Sequence, residues 1–264
     1  MAVFTLVSTT GAPGVTTCAL GLALAWPRDV VLVDADRCVS QALYFNGVAT
    51  GGRGMTSLAQ AYRDGSDLAD SLPDHFVAFP QTGEPDDVKR WFVPGFARPG
   101  SAQLFEPVWP GLAPALDELD RQGSDVIVDA GRWGPPPALV ASTRCLVLVT
   151  RADLRALAGL RLYLPDARAA VAGVAGCSLG LLVIGDAYDA REITTQFELP
   201  VWGVLPIQPV DAAVLSDGAP ARRKAPIRPL GRAFAGAAGT LQEVAARWDA
   251  RVKRSPAEWS LTHA

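Results

Sequence analysis

Lysine is scarce in this chain. Of its 24 basic residues only Lys89, Lys224 and Lys253 are lysines; the rest are arginines. The first 88 residues therefore contain no ammonium side chain. Histidine is limited to His75 and His263, and the four cysteines, Cys18, Cys38, Cys145 and Cys177, are scattered with no CxxC pair. A zinc site thus lacks its ligand set, and a disulfide framework is not expected. The cysteines read as small apolar residues of a reduced, cytosolic protein. A charge excess of either sign is also missing. The formal net charge is −3, which excludes a strongly basic nucleic-acid binder as a whole-protein property. The N-terminus has no basic segment, and the apolar run Ala2 to Val7 breaks into Ser8-Thr9-Thr10-Gly11, unlike a signal peptide. No stretch approaches roughly 20 uninterrupted apolar residues, so no membrane span is expected.

What is present is a chain of 264 residues, 49% hydrophobic and 19% charged. That composition argues against disorder and for a sizeable buried core. Short apolar strands are expected at Val3–Ser8, Val30–Asp34, Lys89–Val93, Asp125–Asp129, Cys145–Val149, Leu179–Ile184 and Val201–Leu205. Helical spacing is expected at about Thr16–Ala25, Ser57–Tyr62, Leu112–Arg121, Asp153–Leu164 and Leu230–Lys253. This alternation predicts an α/β fold, a doubly wound, mostly parallel sheet with helices on both faces. No linker divides it. One domain is expected over 1–254, followed by a polar tail over 255–264.

The first strand and helix are joined by Thr9-Thr10-Gly11-Ala12-Pro13-Gly14-Val15-Thr16-Thr17. In the pattern G-x-x-x-x-G-K-[ST], glycines let backbone N–H groups wrap phosphate at a helix N-terminus. The lysine supplies charge and the hydroxyl holds Mg²⁺. Gly14 and the hydroxyls of Thr16 and Thr17 fit. Val15 stands where the lysine would be, and Thr9 replaces the first glycine. The plain alternative is a Gly/Pro turn with Thr16 near the helix cap. Asp34 and Asp36 end one strand and Asp129 ends another. Open parallel sheets take ligands at these strand ends, so the carboxylates could hold Mg²⁺ and orient a water.

These residues resemble the MinD/ParA-like P-loop ATPases with a deviant Walker A motif. The family's K-G-G-V-G-K-T-T aligns with Thr10 to Thr17, so both family lysines are missing, at Thr10 and Val15. Leu32-Val33-Asp34-Ala35-Asp36 resembles the family's second aspartate motif, and Asp125 to Gly131 resembles its Walker B strand. Leu146 to Thr150 resembles the strand that follows. Pro200-Val201-Trp202-Gly203-Val204-Leu205-Pro206 is similar to its P-V-x-G-x-x-P segment. The asparagine that often reads adenine is absent from Val183-Ile184-Gly185-Asp186. The resemblance implies ATP and Mg²⁺ as ligands, bound weakly or not at all. It implies Gly11, Gly14, Thr16, Thr17 and Pro206 as nucleotide contacts. Thr16, Asp36 and Asp129 would be the Mg²⁺ set, and Asp34 and Asp36 the catalytic carboxylates. Arg37 or Arg53 could stand in for the missing lysine, though without its point charge.

The resemblance also suggests a pseudo-ATPase that positions protein partners of a secretion, pilus or partition machinery, as the atypical TadZ/CpaE-type relatives do. Such a protein would be cytoplasmic or peripheral at the inner face of the membrane, and could form a homodimer. An active ATPase with ATP-dependent dimerisation is the alternative. A third reading is a nonspecific DNA-binding module using the basic 218–242 segment, with Arg222, Arg223, Lys224, Arg228 and Arg232. The last helix reads as core packing, with a membrane anchor as its alternative. Trp91, Phe92, Phe96, Phe105 and Trp109 read as a cap on the core, with a partner surface as theirs.

Overall fold

The computed structural model describes residues 2–10, 14–38, 51–79, 87–96, 98, 100–219 and 229–254, the last six as backbone only. Eight strands run β1 (Val3–Ser8), β2 (Val30–Asp34), β3 (Val77–Ala78), β4 (Arg90–Val93), β5 (Asp125–Arg132), β6 (Cys145–Arg151), β7 (Ser178–Ile184) and β8 (Val201–Leu205). They form one sheet in the order β3-β4-β2-β5-β1-β6-β7-β8. All pairs are parallel except β3 with β4. The expected fold class is thus observed. The helices are α1 (Val15–Ala25), α2 (Met55–Arg63), α3 (Leu68–Ser71), α4 (Ser101–Leu104), α5 (Trp109–Arg121), α6 (Pro137–Ala141), α7 (Leu154–Ala172), α8 (Ala190–Phe197), α9 (Pro209–Ser216) and α10 (Pro229–Arg254).

The central strands are buried and mostly apolar because both sheet faces are covered. Side chains alternate between the faces. On β1, Phe4 and Leu6 join a cluster with α1 and α10, whereas Val3 and Val7 point to clusters on the other face. There, one cluster packs α2, α3 and α5 over β2, β4 and β5, and another packs α7 and α8 over β6 and β7. The aromatic stretch belongs to this core. Phe96, Phe105 and Trp109 are buried, and Phe105 meets Trp109 edge-on at 4.5 Å between centroids. That burial removes the partner-surface reading for these three rings.

Helix α7 runs past Pro165, beyond the expected stop at Leu164. Pro165 is exposed, so the carbonyl that loses its helical partner can turn to water. Short α3, α4, α6, α8 and α9 have no counterpart among the expected elements, nor does β3. Helix α10 covers the expected span, and its apolar face is committed. Leu230, Phe234, Ala237, Ala238, Leu241 and Ala245 are buried in the cluster that holds α1. The alternative of a membrane anchor through that face is therefore corrected. Among the described residues no helix is long and apolar enough to cross a membrane.

The contact between α1 and α10 depends on Gly21. A Cβ there would stand 2.3 Å from the Phe234 ring. Replacing Gly21 by Val should displace that ring and lower stability by about 1–3 kcal/mol, read as the midpoint of denaturant unfolding. An unchanged midpoint would mean that α10 packs elsewhere.

Candidate functional site

The chain leaves β1 for β2 on one side, and β6 flanks β1 on the other. This switch point places the loop after β1 in the crevice that α/β sheets use for ligands. Gly14 starts α1 with φ 98° and ψ 36°, a conformation that favours glycine. Among the described residues no side chain caps the helix, and its first turn holds no acidic residue. Uncapped first-turn N–H groups of this kind are the arrangement that takes an anion. Thr16 lies two residues past the Gly14 cap, near it as expected, and its hydroxyl interacts with Asp129 of β5. Gly11 lies outside the described residues.

Val15, at the position of the missing lysine, is 6% exposed and packs into the α1 cluster. Thr10, at the other lysine position, folds back onto α7. A Cβ on Gly159 would stand 2.1 Å from its Cγ2. The Ser8 hydroxyl holds this turn, donating to Thr10 O at 2.5 Å and accepting from Thr10 N at 3.1 Å. Thr9 Oγ1 is buried without a hydrogen-bond partner among the described residues.

Two strand ends bring the carboxylates together. Asp34 of β2 and Asp129 of β5 are register partners. Asp129 is 1% exposed, and its Oδ1 accepts from Gly131 N at 2.9 Å. Its Oδ2 is buried and meets no donor in hydrogen-bond geometry among the described residues. Burial pushes this carboxyl up to about 6, and the charge of Asp36 adds to the rise. The Thr16 hydroxyl and the Gly131 N–H oppose it. Asp36 is also raised by burial, against the Cys38 N–H and the charges of Arg132 and Arg37. It lies over Gly131, whose φ is 63°. A Cβ there would stand 2.2 Å from Asp36 Cγ.

Of the two aspartates expected to be catalytic, only Asp36 is open to a ligand. Asp34 is 1% exposed and packs on Gly95, where a Cβ would stand 2.5 Å from its Oδ2. Its Oδ1 accepts from Asp36 N at 3.3 Å. Asp34 is therefore placed to shape the turn that presents Asp36. The expected stand-ins for lysine are engaged as well. Arg37 donates to Gly134 O and stands 3.4 Å from Glu106 Oε1, and Arg53 donates to Phe76 O at 3.1 Å.

The oxygens of Thr16, Asp36 and Asp129 suit a small hard cation. Mg²⁺ commonly takes one or two carboxylates and completes its shell with water and phosphate. The buried Oδ2 of Asp129 is the atom with most to gain. Among the described residues no three acidic, histidine or cysteine side chains gather into a metal cluster, so any cation would rely on this smaller set.

Beside the loop is a cavity of about 220 Å³. Gly14, Thr17 and Pro206, three of the residues expected to contact nucleotide, are among those that line it. Ile184, Ile207 and Phe234 also line it, and no local pattern in the chain marks them for that place. Phe234 arrives from α10, more than 200 residues after the loop, through tertiary packing alone. Gly95 and Gly131 join the site without being expected there, although Gly131 two residues after Asp129 is a readable signal for close backbone approach.

Solved structures share this architecture over nearly their whole lengths. MinD complexed with Mg-ADP from Pyrococcus horikoshii is 19% identical with a TM-score of 0.69. The match covers 94% of this chain and 98% of that one. The fold is that of MinD and ParA-family ATPases. A ParA family ATPase from Chlorobium tepidum is also 19% identical with a TM-score of 0.69, covering 90% and 98%. Apo McdA from Cyanothece, 17% identical, covers 91% and 99% at a TM-score of 0.65. No family model and no curated protein matches the sequence. In this MinD/ParA-type fold the loop after β1, the carboxylates and the cavity all lie at one sheet edge.

Proposed function

We propose that this chain is a MinD/ParA-like positioning or scaffold factor with weak or no ATP turnover. The observation that carries the proposal is the loop itself. Val15 is buried where a phosphate-binding ammonium is expected, and Thr10 is packed against its own α7 where the family's second lysine would reach a partner protomer. A triphosphate brings about four negative charges, and the lost contact typically costs about 1.5–3 kcal/mol of binding. Rate losses of about 10²–10³ follow when such a group stabilises the transition state. The open N–H groups of α1 would still contact phosphate. Thr16, Asp36 and Asp129 would hold Mg²⁺, which screens phosphate charge when bound.

The reading includes one domain over 1–254, a cytoplasmic or membrane-peripheral location, and protein partners in a secretion, pilus or partition machinery. A homodimer is compatible with it. Kinship to the TadZ/CpaE type belongs to the same proposal. The gathering of Thr16, Asp36 and Asp129 favours a second reading, an active ATPase that dimerises with ATP. Single-turnover assays with ATP and Mg²⁺ separate the two. The expected result is hydrolysis at the background rate, unchanged by Asp36→Ala. Turnover abolished by that substitution would establish the second reading. The DNA-binding alternative draws on Arg222, Arg223, Lys224 and Arg228, which lie outside the described residues; exposed Arg232 alone does not carry it.

A further inference from the structure

Two arginines bracket the end of β1, which lies between β5 and β6 in the sheet. On one side Ser8, the last residue of β1, is the register partner of Arg132. The register shifts between Leu6 and Ser8, and Gly131 has φ 63° there, so a bulge in β5 sets Arg132 beside the strand end. Arg132 is exposed, and its charge is felt at Asp36. On the other side Ser8 pairs with Val149 of β6, and Arg151 follows two residues later on the same face. Arg151 lines the cavity together with Gly14 and Thr17. Its Nε stands 3.5 Å from Asp153 Oδ2, but the two side chains are 46% and 50% exposed, and such pairs contribute little. Strand spacing puts the two arginine backbones about 12 Å apart, with the exit of β1 into the loop between them. Thr9 lies at that exit, and its buried Oγ1 meets no partner among the described residues.

We infer that Arg132 and Arg151 form a guanidinium clamp for the phosphate chain of a nucleotide, in place of the ammonium missing at Val15. The inference rests on the phosphate-binding reading of this edge and deepens it. A guanidinium grips phosphate through parallel N–H donors and keeps its charge at any working pH. Both forks stand on strand ends that the sheet ladder holds in place. A lysine within the loop is a point charge that the planar fork does not reproduce, so the clamp supplies affinity without restoring turnover. The competing role for Arg132 is a counter-charge to Asp36 alone, and the experiment separates the two.

The test is titration calorimetry of the full chain with ATP in EDTA, which takes divalent cations out of the comparison. Arg132→Gln and Arg151→Gln should each weaken ATP binding about tenfold or more, the size of one charge-assisted contact. Between about 50 and about 300 mM NaCl, each variant should lose affinity less steeply than the wild type, because one charged contact is gone. In an Asp36→Asn background Arg132→Gln should still cost about tenfold. Both arginines are surface residues, where such substitutions cost little stability, and circular dichroism checks the fold. An ATP affinity unchanged in either variant overturns the clamp and leaves phosphate to the N–H groups of α1. A loss with unaltered salt dependence also overturns it, because the arginine would then act through packing. So does a loss that vanishes in the Asp36→Asn background, since Arg132 would only balance that carboxylate. No ATP binding by the wild type in EDTA overturns the clamp as well. If Mg²⁺ then restores binding the nucleotide reading stands, and if it does not, both fall.

Discussion

Asp125→Ala should cost about 3–5 kcal/mol of stability. Asp125 opens β5 and is fully buried. Its Oδ1 accepts from Ala2 N at 2.8 Å and from Arg28 Nη2 at 2.7 Å. Its Oδ2 accepts from Trp26 Nε1 at 2.7 Å, from Gln242 Nε2 at 3.2 Å, and from Arg28 Nε. One carboxylate thus ties the residue ahead of β1, the end of α1 and α10 to a central strand. Truncation leaves the Trp26 N–H and the Ala2 N–H buried without an acceptor, and each such group costs about 1–3 kcal/mol. Arg28 is 41% exposed, and Arg28→Ala leaves Asp125 its Ala2, Trp26 and Gln242 donors, so it should cost less than Asp125→Ala. Urea unfolding of the two variants measures the contrast. Equal losses would show that the ion pair, and not the buried hub, carries the energy.

Asp129→Asn should have the opposite sign. The folded carboxyl titrates at about 6 because burial disfavours its charge, against an ordinary value of 3.8. A raised carboxyl pKa means that folding favours the protonated form. This group's stability contribution is full below about pH 4, falls as pH rises toward 6, and is gone above that. The gap between those two values is equivalent to about 2–3 kcal/mol. The asparagine variant should therefore match the wild type at pH 4 and exceed it by about that amount at pH 8. Comparing variant with wild type at each pH cancels the titration of the other carboxylates. Mg²⁺ should raise the melting temperature of the wild type and leave the variant nearly unmoved. If the two proteins differ equally at pH 4 and pH 8, the charge on Asp129 is not what the fold resists.

The architecture was legible because it is written in local patterns. Apolar β-branched runs such as Val30 to Val33 and the turn at Gly14 need no partner to be read. The same holds for Asp36 and Asp129, which sit at the ends of such runs. What could not be read depends on distant contact. Asp34 and Asp36 look alike in the chain, and only Gly95, some 60 residues on, buries one and spares the other. The cavity is closed by Phe234 for the same kind of reason. Helices α8 and α9 have eight residues each, too few for periodicity to separate them from loops.

The two aspartates of β5 also bear on how the molecule can move. Asp125 and Asp129 are four residues apart and share a sheet face, about 13 Å from one to the other. Helix α1 lies along the same strand, about 16 Å long by its eleven residues. Its start touches Asp129 through Thr16, and the residue after its end, Trp26, is bonded to Asp125. The helix is a strut pinned at both ends to one rail. It cannot slide to meet a ligand without breaking the Trp26 bond, so a ligand at Gly14 meets a helix start whose position is set by β5.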